Sequence, residues 1–369
     1  MTPQSAAEIL DSAYAARATG AFADVVGIFG EGFPEPLLRA AGLRPICLHI
    51  NPAIDGVDAG QAVSDCIEPF VDHAVRRFLH RFAAGGYQGV RAIIFCRDDT
   101  AALVAYQYAQ EFRRLGLAPQ MPRLILWNLV HAPHAHDFNR QQLGKLWQGL
   151  DIAPPSESAL ASTWADECAR RDALAALDRD MGQGAACAST AFMWRIAGRG
   201  MDGRQHAELL NTARPIAPRP ANAAARLGVI GSMIEDAAFY RTIEGHGAIV
   251  CDLQPTVAAW PVPLPQHPTA DAFLRAAASD VACPRIVPPN AHADAILRRL
   301  EGAQCDAVIC QLHAHDDVIG WDVPRIADHL RDLDIAFINL GFVDPLPDKP
   351  DLDTIGAALG AALKERGLT

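Results

Sequence analysis

Short runs of apolar, mostly β-branched residues recur along the chain with helix-period stretches between them. In the first third the runs are DVVGIFG (24–30), RPICLHI (44–50), VRAIIFC (90–96) and RLILWNLV (123–130). A run with no alternating polar position suits a strand buried on both faces, and such strands spaced by helices predict a parallel sheet covered on both sides. Between 154 and 214 the strand pattern stops, and WADECARRDALAALDRDM and FMWRIAGRGMDGRQHAELLNTA carry helical periodicity. After the proline-rich PIAPRPANAAA the strand runs resume with RLGVIGSM (226–233), GAIVCDL (247–253), CDAVICQL (305–312) and IAFINL (335–340). The pattern therefore predicts an α/β protein with two parallel-sheet lobes and a helical segment between them. The expected boundaries are 1–153 for a first lobe with its N-terminal helix, 154–220 for the helical bridge and 221–369 for the second lobe.

Composition agrees with that division. At 369 residues the chain is long for one hydrophobic core, since single cores stop growing near roughly 250 to 300 residues. Half of the residues are apolar, and no run approaches the roughly 18 needed to span a bilayer. The opening MTPQSAAEILDSAYAARATG reads as an amphipathic helix without the apolar core of an export signal, so a cytoplasmic location is expected. A net charge of -11 with scattered arginines argues against nucleic-acid binding, which needs a basic surface. Nine cysteines, an odd number in a chain without an export signal, are not expected to form a disulfide framework.

In open parallel sheets ligands sit beyond the carboxyl ends of the strands, so chemistry is sought in the residues that follow each run. Cys96 ends IIFCRDDT, where Asp98, Asp99 and Thr100 suit a helix N-cap. A thiol beside a helix start favours the thiolate needed to bind a soft metal. Cys66 is read as opening the preceding helix in VSDCIEPFVDHAVRRFLHRF, and both thiols are expected on one wall of a cleft. The plainer reading is that free cysteines pack as small apolar residues. That reading is also the expected one for Cys47, Cys251 and Cys305, whereas Cys168 and Cys187 have no partner pattern. CDAVICQLHAHDD brings Cys310, His313, His315, Asp316 and Asp317 to the end of a second-lobe strand, where they suit either ligation or a capped loop. His131, His134 and His136 follow no common zinc spacing, which favours an ordinary polar loop. Gly231 and Ser232 form a small-residue turn that would admit a phosphate or carbonyl to backbone amides. Dinucleotide, Walker and nucleophile-elbow motifs are absent.

Taken in order, GEGFPEPLLRAAGLRPICL, Cys66, IIFCRDD, the helical middle, RLGVIGSMIEDAAFYRTIEGHGAIVCDL, CPRI at 283–286 and CDAVICQLHAHDDVIGWDVPRIADHLRDLDIAFINL resemble the 2-hydroxyacyl-CoA dehydratase and benzoyl-CoA reductase family over most of 24–340. The resemblance implies two Rossmann-like lobes and an iron–sulfur cluster of the 4Fe-4S type held by cysteines. It also implies a bound acyl-CoA, a homologous sister subunit and a separate ATP-dependent iron–sulfur activator protein. The implied chemistry is dehydration of a 2-hydroxyacyl-CoA through a ketyl radical, or alternatively ring reduction of the benzoyl-CoA type. Cys66 and Cys96 match the first two cluster cysteines, whereas the third position reads Asp316, with His315 and Cys310 as other donors. The family's N-terminal acidic position reads Pro36 with Glu35 beside it, and its C-terminal Thr-Arg pair is replaced by NLGFVDPLPDKPDLDTIGAALGAAL. Two readings follow: a subunit with an unusual third ligand among Asp316, His315 and Cys310, or a cluster-free, non-catalytic partner of a fully ligated sister.

Overall fold

The computed structural model describes residues 1–16, 24–48, 57–97, 100–118, 120–132, 134–221, 224–254, 264–283, 287–288, 290–314, 316 and 318–368. All eight apolar runs form strands: β1 (Val25–Phe29), β2 (Arg44–Cys47), β3 (Val90–Cys96) and β4 (Arg123–Trp127), then β5 (Arg226–Gly231), β6 (Ala248–Asp252), β7 (Ala307–Leu312) and β8 (Ala336–Phe342). They make two four-stranded parallel sheets with the same pattern, β2-β1-β3-β4 and β6-β5-β7-β8. The two Rossmann-like lobes implied by the sequence are thus present. In each sheet the strand order reverses beside the first strand, and the crevice for a ligand opens there.

Strand parity decides which core each side chain joins, because successive residues point to opposite faces. On β3, Ala92, Ile94 and Cys96 join one core, whose helices are α2 (Glu35–Ala40), α6 (His136–Leu150) and α11 (Ala270–Ala278). Ile93 and Phe95 face the opposite core, under α4 (His73–Ala83) and α5 (Thr100–Leu115). There Phe29, Phe78 and Phe95 pack with ring centroids 4.8 to 6.1 Å apart, and each buried ring contributes about 1.5 to 3 kcal/mol. Asp72 starts α4 by accepting from the amides of Ala74 and Val75, a cap worth ~1 kcal/mol.

The helical middle is α7 (Glu157–Gly182), α8 (Ala188–Ala197), a 3-10 turn at Gly198–Gly200 and α9 (Gly203–Ala213). Packing crosses the lobes in a way the order of runs does not reveal. The N-terminal α1 (Pro3–Ala16) was expected with the first lobe, yet its Ala6, Ala7 and Leu10 join the core that covers the second sheet and pack beside α8 and α9. Conversely α11, from the second-lobe segment, places Phe273 and Leu274 on the first sheet's core beside α2 and α6. The second sheet's other face is covered by α12 (Ala291–Ala303) and α13 (Ile319–Asp332), with α10 (Ala237–Glu244) and α14 (Lys349–Glu365) on the α1 side. No helix of the described residues is long and apolar enough to cross a membrane.

Candidate functional site

Both crevices open after a glycine with positive φ that ends or follows the first strand of its sheet, Gly30 at 100° and Gly231 at 112°. In the second lobe the turn after Gly231 is closed by its own hydrogen bonds. Ser232, 1% exposed, donates its amide to the Gln311 carbonyl at 2.9 Å and its hydroxyl to Asp316 Oδ2 at 2.7 Å, and accepts from the His313 amide at 3.0 Å. Gln311 donates to the Ser232 carbonyl and to Gln254 Oε1, and Gln254 donates to Tyr240 and Asp252. Arg195 pairs with Asp178 and lies 4.0 Å from Asp252. The backbone amide of Ser232, expected to meet a phosphate or carbonyl, is therefore spent on the Gln311 carbonyl, and the hydroxyl beside it on Asp316. Tertiary bonding took donors that sequence leaves unassigned.

Asp316 holds the start of α13. Its Oδ1 accepts from the amides of Val318 at 3.1 Å and Ile319 at 2.9 Å, while Oδ2 takes the Ser232 hydroxyl. Partly buried His313 is pushed below its ordinary pKa by desolvation, although Asp316, Asp72 and Asp344 oppose the shift. The strand-end loop thus faces the start of α4, and ion pairs clamp the two lobes there. Arg77 of α4 lies 3.4 Å from Glu235 and 3.7 Å from Asp344, and His73 is 2.7 Å from Asp344.

The two thiols expected on one wall pack into different layers. Cys96, 2% exposed, points into the α2–α6–α11 core with Ile94. Cys66 packs against the α4–α5 core. It does not open a helix: α3 (Gln61–Ser64) has already ended, the Cys66 amide donates to the Val63 carbonyl, and α4 begins only after the Asp72 cap. Cys310 is fully buried on the α12–α13 side, and burial together with nearby Asp316 pushes its thiol up to about 12. Among the described residues no three His, Cys, Asp or Glu side chains gather as a metal-holding group. Two thiols in opposite layers and a carboxylate with both oxygens engaged do not fit the donor set of a cubane cluster. Asp98, Asp99, His315, Asp317 and residues 49–50, 222–223 and 284–286 of the motifs quoted above lie outside the described residues.

The histidine run separates as well. His131 Nδ1 lies 2.5 Å from the Ala278 carbonyl, and His136 lies 3.5 Å from Asp271, which also pairs with Arg140. Two of its members thus tie the first lobe to α11.

The first-lobe crevice holds a pocket that the motif search missed. Its floor is Ile28 and the loop 30–34; its sides come from α2, α7, the 3-10 turn, α11 and the turn at 280–283. Glu35 lies 3.0 Å from Arg39 and 2.5 Å from Arg199, Arg39 lies 3.7 Å from Glu167, and Arg170 lies 3.2 Å from Glu167. Burial alone would raise the Glu35 carboxyl, but Arg199 and Arg39 outweigh it and hold it at about 2. An acid held so low is ionised at neutral pH and cannot donate a proton there. On the opposite side burial lifts Asp280 to about 6, against the pull of the Ala282 amide. Two helix-spaced pairs, Glu35 with Arg39 and Glu167 with Arg170, signal parts of this network in the sequence, but not that they meet.

No curated protein matches the chain. A family model does, that of the 2-hydroxyglutaryl-CoA dehydratase D-component, over residues 32–344. That span takes in the second sheet, the first sheet apart from β1, the helical bridge, the first-lobe pocket apart from Ile28, Gly30 and Glu31, and Asp316. The chain therefore belongs to the 2-hydroxyglutaryl-CoA dehydratase D-component family, as its motif order implied.

Proposed function

We propose that this chain is a 2-hydroxyacyl-CoA dehydratase-type subunit that carries no iron–sulfur cluster of its own and pairs with a homologous, cluster-bearing sister. The observation that carries the reading is the use of Asp316, which stands where the family resemblance puts the third ligand. Its carboxylate already accepts from Ser232, Val318 and Ile319, so binding iron would release those donors and loosen the start of α13. The opposite layers of Cys66 and Cys96 point the same way. In such a complex the ATP-dependent activator delivers its electron to the sister, and this chain helps to enclose the acyl-CoA.

Iron and acid-labile sulfide, measured on anaerobically prepared chain alone and on the co-expressed pair, test the proposal. The expected result is iron in the pair, assigned to the sister, and none in the isolated chain. Stoichiometric iron and sulfide in the isolated chain, lost on Cys96→Ser, would instead establish Cys66, Cys96 and Asp316 as a working ligand set. That reading draws on the approach of the His313–Asp316 loop to the Asp72 end of α4.

A further inference from the structure

Several polar groups on the walls of the first-lobe pocket are short of partners among the described residues. On one wall Arg39, Arg170 and Arg199 are matched by Glu35 and Glu167, with Asp202 acting on Arg170 as well, so the arginines call for no further anion. Matched charge does not complete their hydrogen bonds. Arg170, 8% exposed, spends Nη1 on Glu167 Oε2 and Nη2 on the Met201 carbonyl, and its buried Nε has no acceptor. Glu167, 5% exposed, keeps a buried Oε1 that no donor reaches, since Arg39 stands 3.7 Å away. An orphan donor and an orphan acceptor on one buried ion pair are costly, and a hydroxyl, which accepts and donates through one oxygen, would satisfy both. On the other wall Asp280 accepts from the Ala282 amide at 3.0 Å and has the Cys283 thiol 3.9 Å away, and no described cation offsets its burial. A carboxylate desolvated without a counter-charge favours a cation beside it. With Glu31 included, the described lining holds four carboxylates against three arginines. Much of the rest is hydrocarbon, from Ile28, Phe33, Phe273, Ala277 and Ala282. Pockets of this make-up, apolar with a few convergent polar groups, are where small organic ligands bind.

We infer that this pocket binds a small amino alcohol, its ammonium pairing with Asp280, its hydroxyl bridging Arg170 Nε and Glu167 Oε1, and its hydrocarbon lying against Phe33 and Phe273. Each part of the ligand answers one group on the wall. A neutral alcohol would leave Asp280 without a counter-charge, and a plain amine would leave the Arg170–Glu167 pair with both atoms unsatisfied. A carboxylate in place of the hydroxyl could accept from Arg170 but would repel Glu167 and donate nothing to it. The site is assembled within one chain from the first lobe, the helical bridge and the α11 segment, so it needs neither a cluster nor a sister subunit. It stands or falls separately from the cluster-free reading.

Calorimetric titration of the full chain at pH ~8, where Asp280 is ionised, tests the inference. The probes are 4-amino-1-butanol and 6-amino-1-hexanol, with hexylamine, 1-hexanol and 6-aminohexanoate in parallel. At least one amino alcohol is expected to bind saturably, one per chain, and each of the three comparison compounds roughly tenfold more weakly or worse, the size of one lost charge-assisted bond. Asp280→Asn, which keeps the shape and an acceptor for Ala282, should weaken the amino alcohol by roughly tenfold and leave 1-hexanol unchanged. Ala277→Trp, which puts an indole into the pocket, should abolish binding. Should Asp280→Asn fail to fold, Ala277→Trp and the comparison compounds still decide. The inference is overturned if neither amino alcohol gives saturable heat at millimolar concentration, if either variant binds it unchanged, or if hexylamine, 1-hexanol or 6-aminohexanoate binds as tightly.

Discussion

Lowering the pH from about 7 to about 4 is expected to cost the protein about 3 kcal/mol of folding stability through His206 alone. This imidazole, 1% exposed on α9, bonds through Nε2 to the Trp194 carbonyl at 3.0 Å and packs against Gly198, where a Cβ would overlap the ring. Burial first, then the positive charge of Arg170 and Arg39, pushes its pKa down to about 3 from 6.5, and the Trp194 carbonyl only partly offsets them. The fold thus favours the neutral ring. A group whose folded pKa lies below its unfolded one contributes its full stability above the unfolded value and loses it as pH falls toward the folded value. Loss should begin near pH 6.5 and continue toward about 3. A second loss, from Glu35, should start only near pH 4.5, because that carboxyl is held at about 2. Urea denaturation at a series of pH values checks this. His206→Gln, whose amide can still donate to Trp194, should flatten the curve above pH 5 or so and leave the Glu35 limb in place. An identical slope in the variant would assign the acid sensitivity elsewhere.

Gly231→Ala is expected to destabilise the fold by about 3 kcal/mol or more, placing it in the severe tail of point substitutions. Its φ of 112° is a conformation that L side chains rarely adopt, and a Cβ there would overlap the Gln311 carbonyl. That carbonyl accepts the Ser232 amide, so displacing it would disturb the Gln311–Gln254–Tyr240–Asp252 chain behind the second crevice. Partly satisfied buried polar networks are costly, which adds to the backbone strain. Thermal melting reads the effect directly. Gly144→Ala, on a helix surface with nothing near the new methyl, should by contrast be neutral or slightly stabilising.

The strands and their parallel order were legible in the sequence because a strand buried on both faces must be apolar at every position. Val90–Cys96 is such a run apart from the exposed Arg91 near its start, and it forms a central strand of the first sheet with no change of bounds. The helical bridge was legible for the complementary reason: α7, α8 and α9 carry helical periodicity without strand runs. The order of weak motifs was enough to indicate the family.

What only the tertiary structure decided is where surfaces and polar atoms find their partners. Periodicity shows that α1 and α11 each have an apolar face, but many sheets would satisfy it. That α1 covers the second sheet and α11 the first follows from docking, which local sequence does not encode. Strand parity sends Cys96 into one layer while the segment carrying Cys66 lies over the other, so nearness in motif order did not become nearness in space. The pocket is the strongest case. Arg199 meets Glu35 across 164 residues and Arg39 meets Glu167 from another helix. Charges that far apart along the chain are brought together only by packing, and once water is excluded they must pair or await a ligand.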